Sequence, residues 1–378
     1  MAALALLIVS LGLTTADAWS NIFEGLETVT QACPNNRLPL ETPEHTLYVH
    51  PASQAELHFP RRLLTLQPTS SSSEELQLVV LAAESSSAAY ANSDAQPGSR
   101  SPQILRSVEQ ATSAALDGSV KACALAIANS PTDRPLLAVA FRGTVSLADW
   151  LVNLDGGLED CADFLGSPGA TAHAGLLRVA KAMAPRVCEK IISASSTIGP
   201  DLDGGRPSLV ITGHSAGGGV AGLISAHIRA TRPDILDRFE VIHCVTFAAP
   251  PVLGSLPSGD DAPPVSAGLS LNIVNYGDMV PRADKAYIRS LLTLYRERAE
   301  SNTSEPWDFG DPDAWNYGKN IVVMDVAAAD DGGDIQDDVS DLRAFDVGPH
   351  IWKTLAFGSK KTHPMAVYLQ SVRSLIRS

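Results

Sequence analysis

The chain has 378 residues, 45% of them apolar and 19% charged, with a formal net charge of −14. That content supports one large core. The acidic balance excludes nucleic acid and other polyanions, since no basic run overrides the repulsion. It leaves apolar surface as the means of any contact with lipid.

In chain order, residues 1–18 read as a secretory signal: an apolar run from Leu4 to Leu13, then Ala16-Asp17-Ala18 as a small-x-small cleavage site. The run is too short to span a bilayer, which takes about 20 apolar residues, and nothing later in the chain is long enough either. Residues 19–75 carry scattered Pro, Ser and charge and end in the Ser70–Ser73 run, the composition of an extension preceding a catalytic domain over 76–378. Glu75–Tyr90 holds an apolar helical repeat. Short apolar runs at 136–141, 208–212, 241–247 and 271–275 predict buried strands, and stretches at 173–192, 216–229 and 287–300 predict helices between them. Alternation of this kind predicts an α/β fold, a mostly parallel sheet with helices on both faces.

Asn302-Thr303-Ser304 is a glycosylation sequon in a polar stretch, compatible with secretion. Eight aspartates fall within 325–346, but their spacing matches no EF-hand loop, and a solvated surface insertion is expected there. No metal site is expected anywhere. The five cysteines include no CxxC pair. Cys123 and Cys244 lie in β-like apolar runs and are expected as core thiols, while one disulfide is plausible among Cys33, Cys161 and Cys188.

The strongest signal is Gly213-His214-Ser215-Ala216-Gly217, a G-x-S-x-G pentapeptide between an apolar strand and a small-residue helix. That setting makes Ser215 a nucleophile at a strand-to-helix elbow, at the positive end of the helix that follows. A serine hydroxyl needs a base and a third group to orient it, in the chain order Ser, Asp or Glu, His. Asp278 lies just beyond the 271–275 strand, at the carboxyl edge of the sheet, with Asp284 as its rival. Only His350 and His363 follow Asp278. His363 precedes Pro364 and a closing helix from Met365 to Ile376, which favours it. His214 and His227 belong to the elbow unit and do not satisfy the order. For an oxyanion hole, the Ala216 N–H supplies one donor and Thr144, after the 136–141 strand, is the expected second.

FRGT followed by SxxDWxxNL, then HAGL, GHSAGG, TFAAPPV, GDMVPR and HPMAVYL together resemble the motif series of the class 3, fungal-type triacylglycerol lipases, from about Leu76 to the C-terminus. The resemblance implies an α/β-hydrolase fold, a Ser215–Asp278–His363 triad and oxyanion donors at Thr144 and Ala216. It also implies that the helix after FRGT is a lid, with Leu147, Trp150, Leu151 and Leu154 forming an apolar stripe. A surface helix packed on the core is the alternative for that stripe. The expected activity is hydrolysis of acylglycerol esters at an oil–water or membrane interface by a secreted enzyme without a cofactor. Carboxylesterase, diacylglycerol lipase and phospholipase A1 activities use the same machinery, and an inactive lipid- or protein-binding hydrolase fold is the non-enzymatic alternative. This chain departs from the family in having Ala216 where the elbow usually carries Leu, in its long N-terminal extension and in its Asp-rich insertion.

Overall fold

The computed structural model describes residues 71–90, 104–114, 120–129, 134–143, 157–198, 205–255, 268–287, 290, 309–325, 342–353, 355, 357 and 362–376. The signal, most of the extension, Cys33, the lid stripe, the sequon and 326–341 lie outside these residues, as does nearly all of the 287–300 stretch. Among the described residues no helix is long and apolar enough to cross a membrane.

The core is one eight-stranded sheet. In sequence order its strands are β1 (Ile104–Ala114), β2 (Val120–Asn129), β3 (Pro135–Phe141), β6 (Ser208–His214), β7 (Ile242–Phe247), β8 (Ser270–Asn275), β9 (Lys319–Asp325) and β10 (Leu342–Val347), and they lie side by side in that order. The five from β3 to β9 run parallel, while β1, β2 and β10 pair antiparallel at the two margins. A separate antiparallel pair joins β4 (Leu158–Asp160) to β5 (Thr171–His173). This is the mostly parallel α/β sheet that the sequence predicts.

Alternation along the central strands feeds two cores. Leu137, Val139 and Phe141 of β3 and Leu209 and Ile211 of β6 face α3 (Ala174–Ile198) and α4 (Ala216–Thr231). Leu136, Ala138 and Val210 face the other way, onto α1 (Ser73–Ala88) and α7 (Met365–Leu375). The central parallel strands are therefore buried on both sides, and β3, β6, β7 and β8 read in sequence as short, largely apolar runs. Shorter helices, α2 (Ala162–Leu165), α5 (Pro233–Leu236) and α6 (Pro349–Trp352), fill connections.

Helix α1 starts earlier than its apolar repeat. Ser72 accepts the Glu75 N–H at 3.2 Å and the Glu75 carboxylate accepts the Ser72 N–H at 3.1 Å, a reciprocal cap. Ser72, within the serine run, thus supplies a helix start. The aspartate-rich stretch is framed by sheet: Asp325 ends β9 opposite Leu342 of β10, and Asp346 in β10 pairs with Lys319 at 3.3 Å. Cys123 and Cys244 are buried strand residues. Cys161 and Cys188 are buried free thiols, so no disulfide joins them; Cys161 opens α2 and Cys188 packs inside α3.

Candidate active site

Strand β6 ends at His214 and α4 begins at Ala216, leaving Ser215 alone to make the turn, with φ 59° and ψ −134°. A side chain at positive φ is strained by about 1–3 kcal/mol, and the surroundings hold it there. The Ser215 N–H donates to the Phe247 carbonyl at 2.9 Å, and the Ser215 carbonyl accepts the Gly218 N–H at 2.8 Å. The flanking glycines are steric requirements. A Cβ on Gly213 would stand 2.5 Å from the Gly217 oxygen, and one on Gly217 would collide with the Phe141 carbonyl and Arg142.

Asp278 lies in the turn after β8, fully buried. Its Oδ1 accepts the Val280 N–H at 3.0 Å and its Oδ2 accepts the Tyr368 hydroxyl at 2.7 Å. His363 stands just before α7, with Nδ1 2.9 Å from Asp278 Oδ2 and Nε2 3.1 Å from Ser215 Oγ. A carboxylate only accepts, so Nδ1 carries the proton and Nε2 presents a lone pair to the serine hydroxyl. Three side chains remote in sequence therefore meet in the relay that allows an imidazole to deprotonate a hydroxyl. The Ala216 N–H, at the first residue of α4, has no partner among the described residues, leaving it free to meet an oxyanion.

Residues 138–287, which hold both Ser215 and Asp278, match the family model described as lipase (class 3). This part of the chain is similar to the class 3 lipases. A relative from Fusarium solani, named secreted mono- and diacylglycerol lipase 1, is 30% identical over 96 residues, covering 25% of this chain and 26% of its own. The chain thus spans about a quarter of the length of that curated relative. Among solved structures, a Rhizopus microsporus var. chinensis lipase aligns at 17% identity and a TM-score of 0.47, over 75% of this chain and 81% of its own. The Rhizomucor miehei triacylglyceride lipase aligns at 12% identity and 0.48, over 75% and 87%.

The rival residues make other contacts. Asp284 Oδ1 accepts the N–H groups of Ala286, Tyr287 and Asp313 at 3.0–3.3 Å, fastening a turn. Burial raises its carboxyl above the usual range, against the pull of Arg282. His350 is exposed on α6. His227 stacks on Phe164 at 4.3 Å and bonds to its carbonyl. Thr144, Leu147, Trp150, Leu151 and Leu154 lie outside the described residues.

Three polar residues at the site are not marked as functional by the sequence pattern. Tyr368, on the buried side of α7, also accepts the Asn275 N–H at 3.0 Å. Asn275 Nδ2 donates to the Thr362 carbonyl at 3.1 Å, tying the end of β8 to the residue before His363. Tyr90, just past α1, contacts His214. The available signal is chemical: a tyrosine in a buried stripe has a hydroxyl that must find a partner.

Proposed function

We propose that this chain is a secreted serine ester hydrolase that cleaves acylglycerols through an acyl-enzyme on Ser215. The observation that carries the reading is the run of contacts from Ser215 Oγ through His363 to Asp278, at 3.1 and 2.9 Å. As Ser215 Oγ attacks the ester carbonyl, His363 Nε2 takes its proton and Asp278 holds the resulting imidazolium. The Ala216 N–H, with Thr144 as second donor, receives the carbonyl oxygen as it gains charge. The intermediate collapses, the C–O bond breaks, and His363 returns the proton to the departing alcohol. Water, deprotonated by His363, then releases the fatty acid and restores Ser215. Neither half-reaction needs a cofactor.

Partial glycerides are the first substrates to test, because the Fusarium solani relative is named for mono- and diacylglycerols. Export rests on the apolar run and cleavage pattern of residues 1–18. Ser215→Ala is expected to abolish turnover of diacylglycerol emulsions and of p-nitrophenyl butyrate, given the roughly 10⁶-fold loss when another triad loses its serine. It is also expected to escape labelling by a serine-directed organophosphonate. Undiminished turnover in that variant overturns the assignment. A preference for p-nitrophenyl butyrate or phospholipid over every acylglycerol would replace the lipase reading with an esterase or phospholipase.

A further inference from the structure

Behind the reacting groups runs a second chain of hydrogen bonds that the acyl-transfer steps leave idle. The Gly143 N–H donates to Tyr90 Oη at 3.1 Å. Tyr90 Oη lies 2.8 Å from His214 Nδ1, and His214 Nε2 lies 2.8 Å from the main-chain carbonyl oxygen of His363. The proton positions follow by elimination. A carbonyl only accepts, so Nε2 bears a hydrogen. His214 is buried, which holds it well below the ordinary histidine range, and the adjacent His363 pushes the same way. The ring is therefore neutral and Nδ1 is an acceptor. Burial pushes the Tyr90 hydroxyl up to about 12, so it keeps its proton and donates it to Nδ1. The bonds run in one direction, from Gly143 through Tyr90 and His214 to His363, and every contact has one donor and one acceptor.

The geometry points to Tyr90 and His214 as positioning residues that couple the strand end carrying the expected oxyanion donor to the main chain of the base. The inference rests on the acyl-transfer reading above. One end of the relay is Gly143, adjacent to Thr144 and so close to the elbow that a Cβ there would stand 3.2 Å from Ser215 Cβ. The other end is the backbone from which the His363 imidazole projects. The two ends thus flank the place where an ester carbonyl sits, and one tyrosine hydroxyl keeps them in register. The relay also governs charge. The His214 and His363 rings lie 4.8 Å apart. With its ring buried and the Nδ1 lone pair occupied by the hydrogen bond from Tyr90, His214 stays neutral beside His363 when that residue takes the Ser215 proton.

The test is Tyr90→Phe, which keeps the ring and strips out the bond to His214 and the acceptor for Gly143. With p-nitrophenyl butyrate, kcat is expected to fall about 10- to 100-fold with KM changed less than about twofold, the scale of a small misplacement of reacting groups. The control is Ser86→Ala. It removes the 2.9 Å contact between Ser86 Oγ and Thr212 Oγ1, which joins the same helix to the same strand, while Thr212 keeps its bond to the Val245 carbonyl. That variant is expected to keep wild-type kcat. His214→Asn retains an acceptor near the place of Nδ1 and loses the donor to His363, so it carries the test should Tyr90→Phe not fold. It is expected to match Tyr90→Phe, and the double variant to fall no further. Wild-type kcat in Tyr90→Phe overturns the relay, as does an equal fall in Ser86→Ala, which would mean that helix docking alone was disturbed. An unmutated protein that turns over no ester sinks the acyl-transfer reading itself, a result separable from either of these.

Discussion

Replacing Tyr368 with Phe isolates how the buried carboxylate is held. The ring would keep its edge contacts with Phe247 and His214, at 6.2 and 5.8 Å between centroids, so packing is preserved. What disappears is the 2.7 Å donation to Asp278 Oδ2 and the acceptor for the Asn275 N–H. The hydroxyl is a donor at every working pH, because burial, followed by the nearby Asp278 charge, raises Tyr368 well above the ordinary tyrosine value. A hydrogen bond to a charged group contributes about 1.5–3 kcal/mol, and a buried N–H left unpaired costs about 1–3 kcal/mol. The two losses share one site, so a stability decrease of about 3 kcal/mol is expected. The Val280 N–H and His363 still hold Asp278. Turnover should therefore fall only about tenfold, far less than the roughly 10⁴-fold loss when a triad carboxylate is replaced. Urea unfolding of both proteins at pH 7.5, with kcat on p-nitrophenyl butyrate, reads both effects. Wild-type stability and wild-type kcat together would refute the reasoning, since the hydroxyl could then not be holding the carboxylate.

Gly217→Ala should abolish soluble expression or turnover, because the added methyl would overlap the Phe141 carbonyl and Arg142 backbone that the elbow rests against; an active, normally folded variant would contradict the packing described. His243 is held neutral by burial, with Arg229 adding to the effect, at about 4 against an ordinary 6.5. Between those values the unfolded chain binds a proton that the folded one refuses. The associated stability, about 3 kcal/mol, is complete above pH 6.5 and lost as pH falls toward 4. His243→Asn keeps an acceptor for the Leu269 N–H and should flatten that acid loss in urea melts at pH 7.5 and 4.5; parallel pH slopes in the two proteins would count against it.

Sequence alone reveals those parts of this molecule whose physics is local. The parallel strands β3, β6, β7 and β8 are buried on both faces, so each announces itself as an apolar run, and the elbow carries its own steric signature in Gly213 and Gly217. The margins are quiet. β1, read as ILRSVEQATSA, has no apolar run and forms by antiparallel pairing with β2. β9 and β10 hide because the aspartate-rich stretch between and around them dominates the composition. Ser72 looks like one more polar residue until Glu75 answers it. Tyr90 and Tyr368 are hidden for a different reason. In a helical pattern a tyrosine counts as an apolar residue, and only the assembled fold brings its hydroxyl to a histidine or a carboxylate. His214 is passed over by the chain-order rule, which asks which histidine is the base and not what positions the base.

The separation of Ser215 from Asp278 is set by the sheet more than by the loops. Strands β6, β7 and β8 are consecutive neighbours, and their ladder continues past the strand ends: Ser215 N–H to the Phe247 carbonyl, Ala248 N–H to the Ile273 carbonyl, Tyr276 N–H to the Val323 carbonyl, each within 2.9–3.0 Å. The hydrogen-bonded ladder therefore continues into the turns at the rim of the sheet. Strands two places apart stand roughly 10 Å from each other, a span that one imidazole fills with a hydrogen bond at each end, here 3.1 and 2.9 Å. In the proposed triad the carboxylate follows β8, two strands from the serine. The gap that His363 fills is thus framed by neighbouring strands, although a long connection containing the aspartate-rich stretch precedes it in sequence.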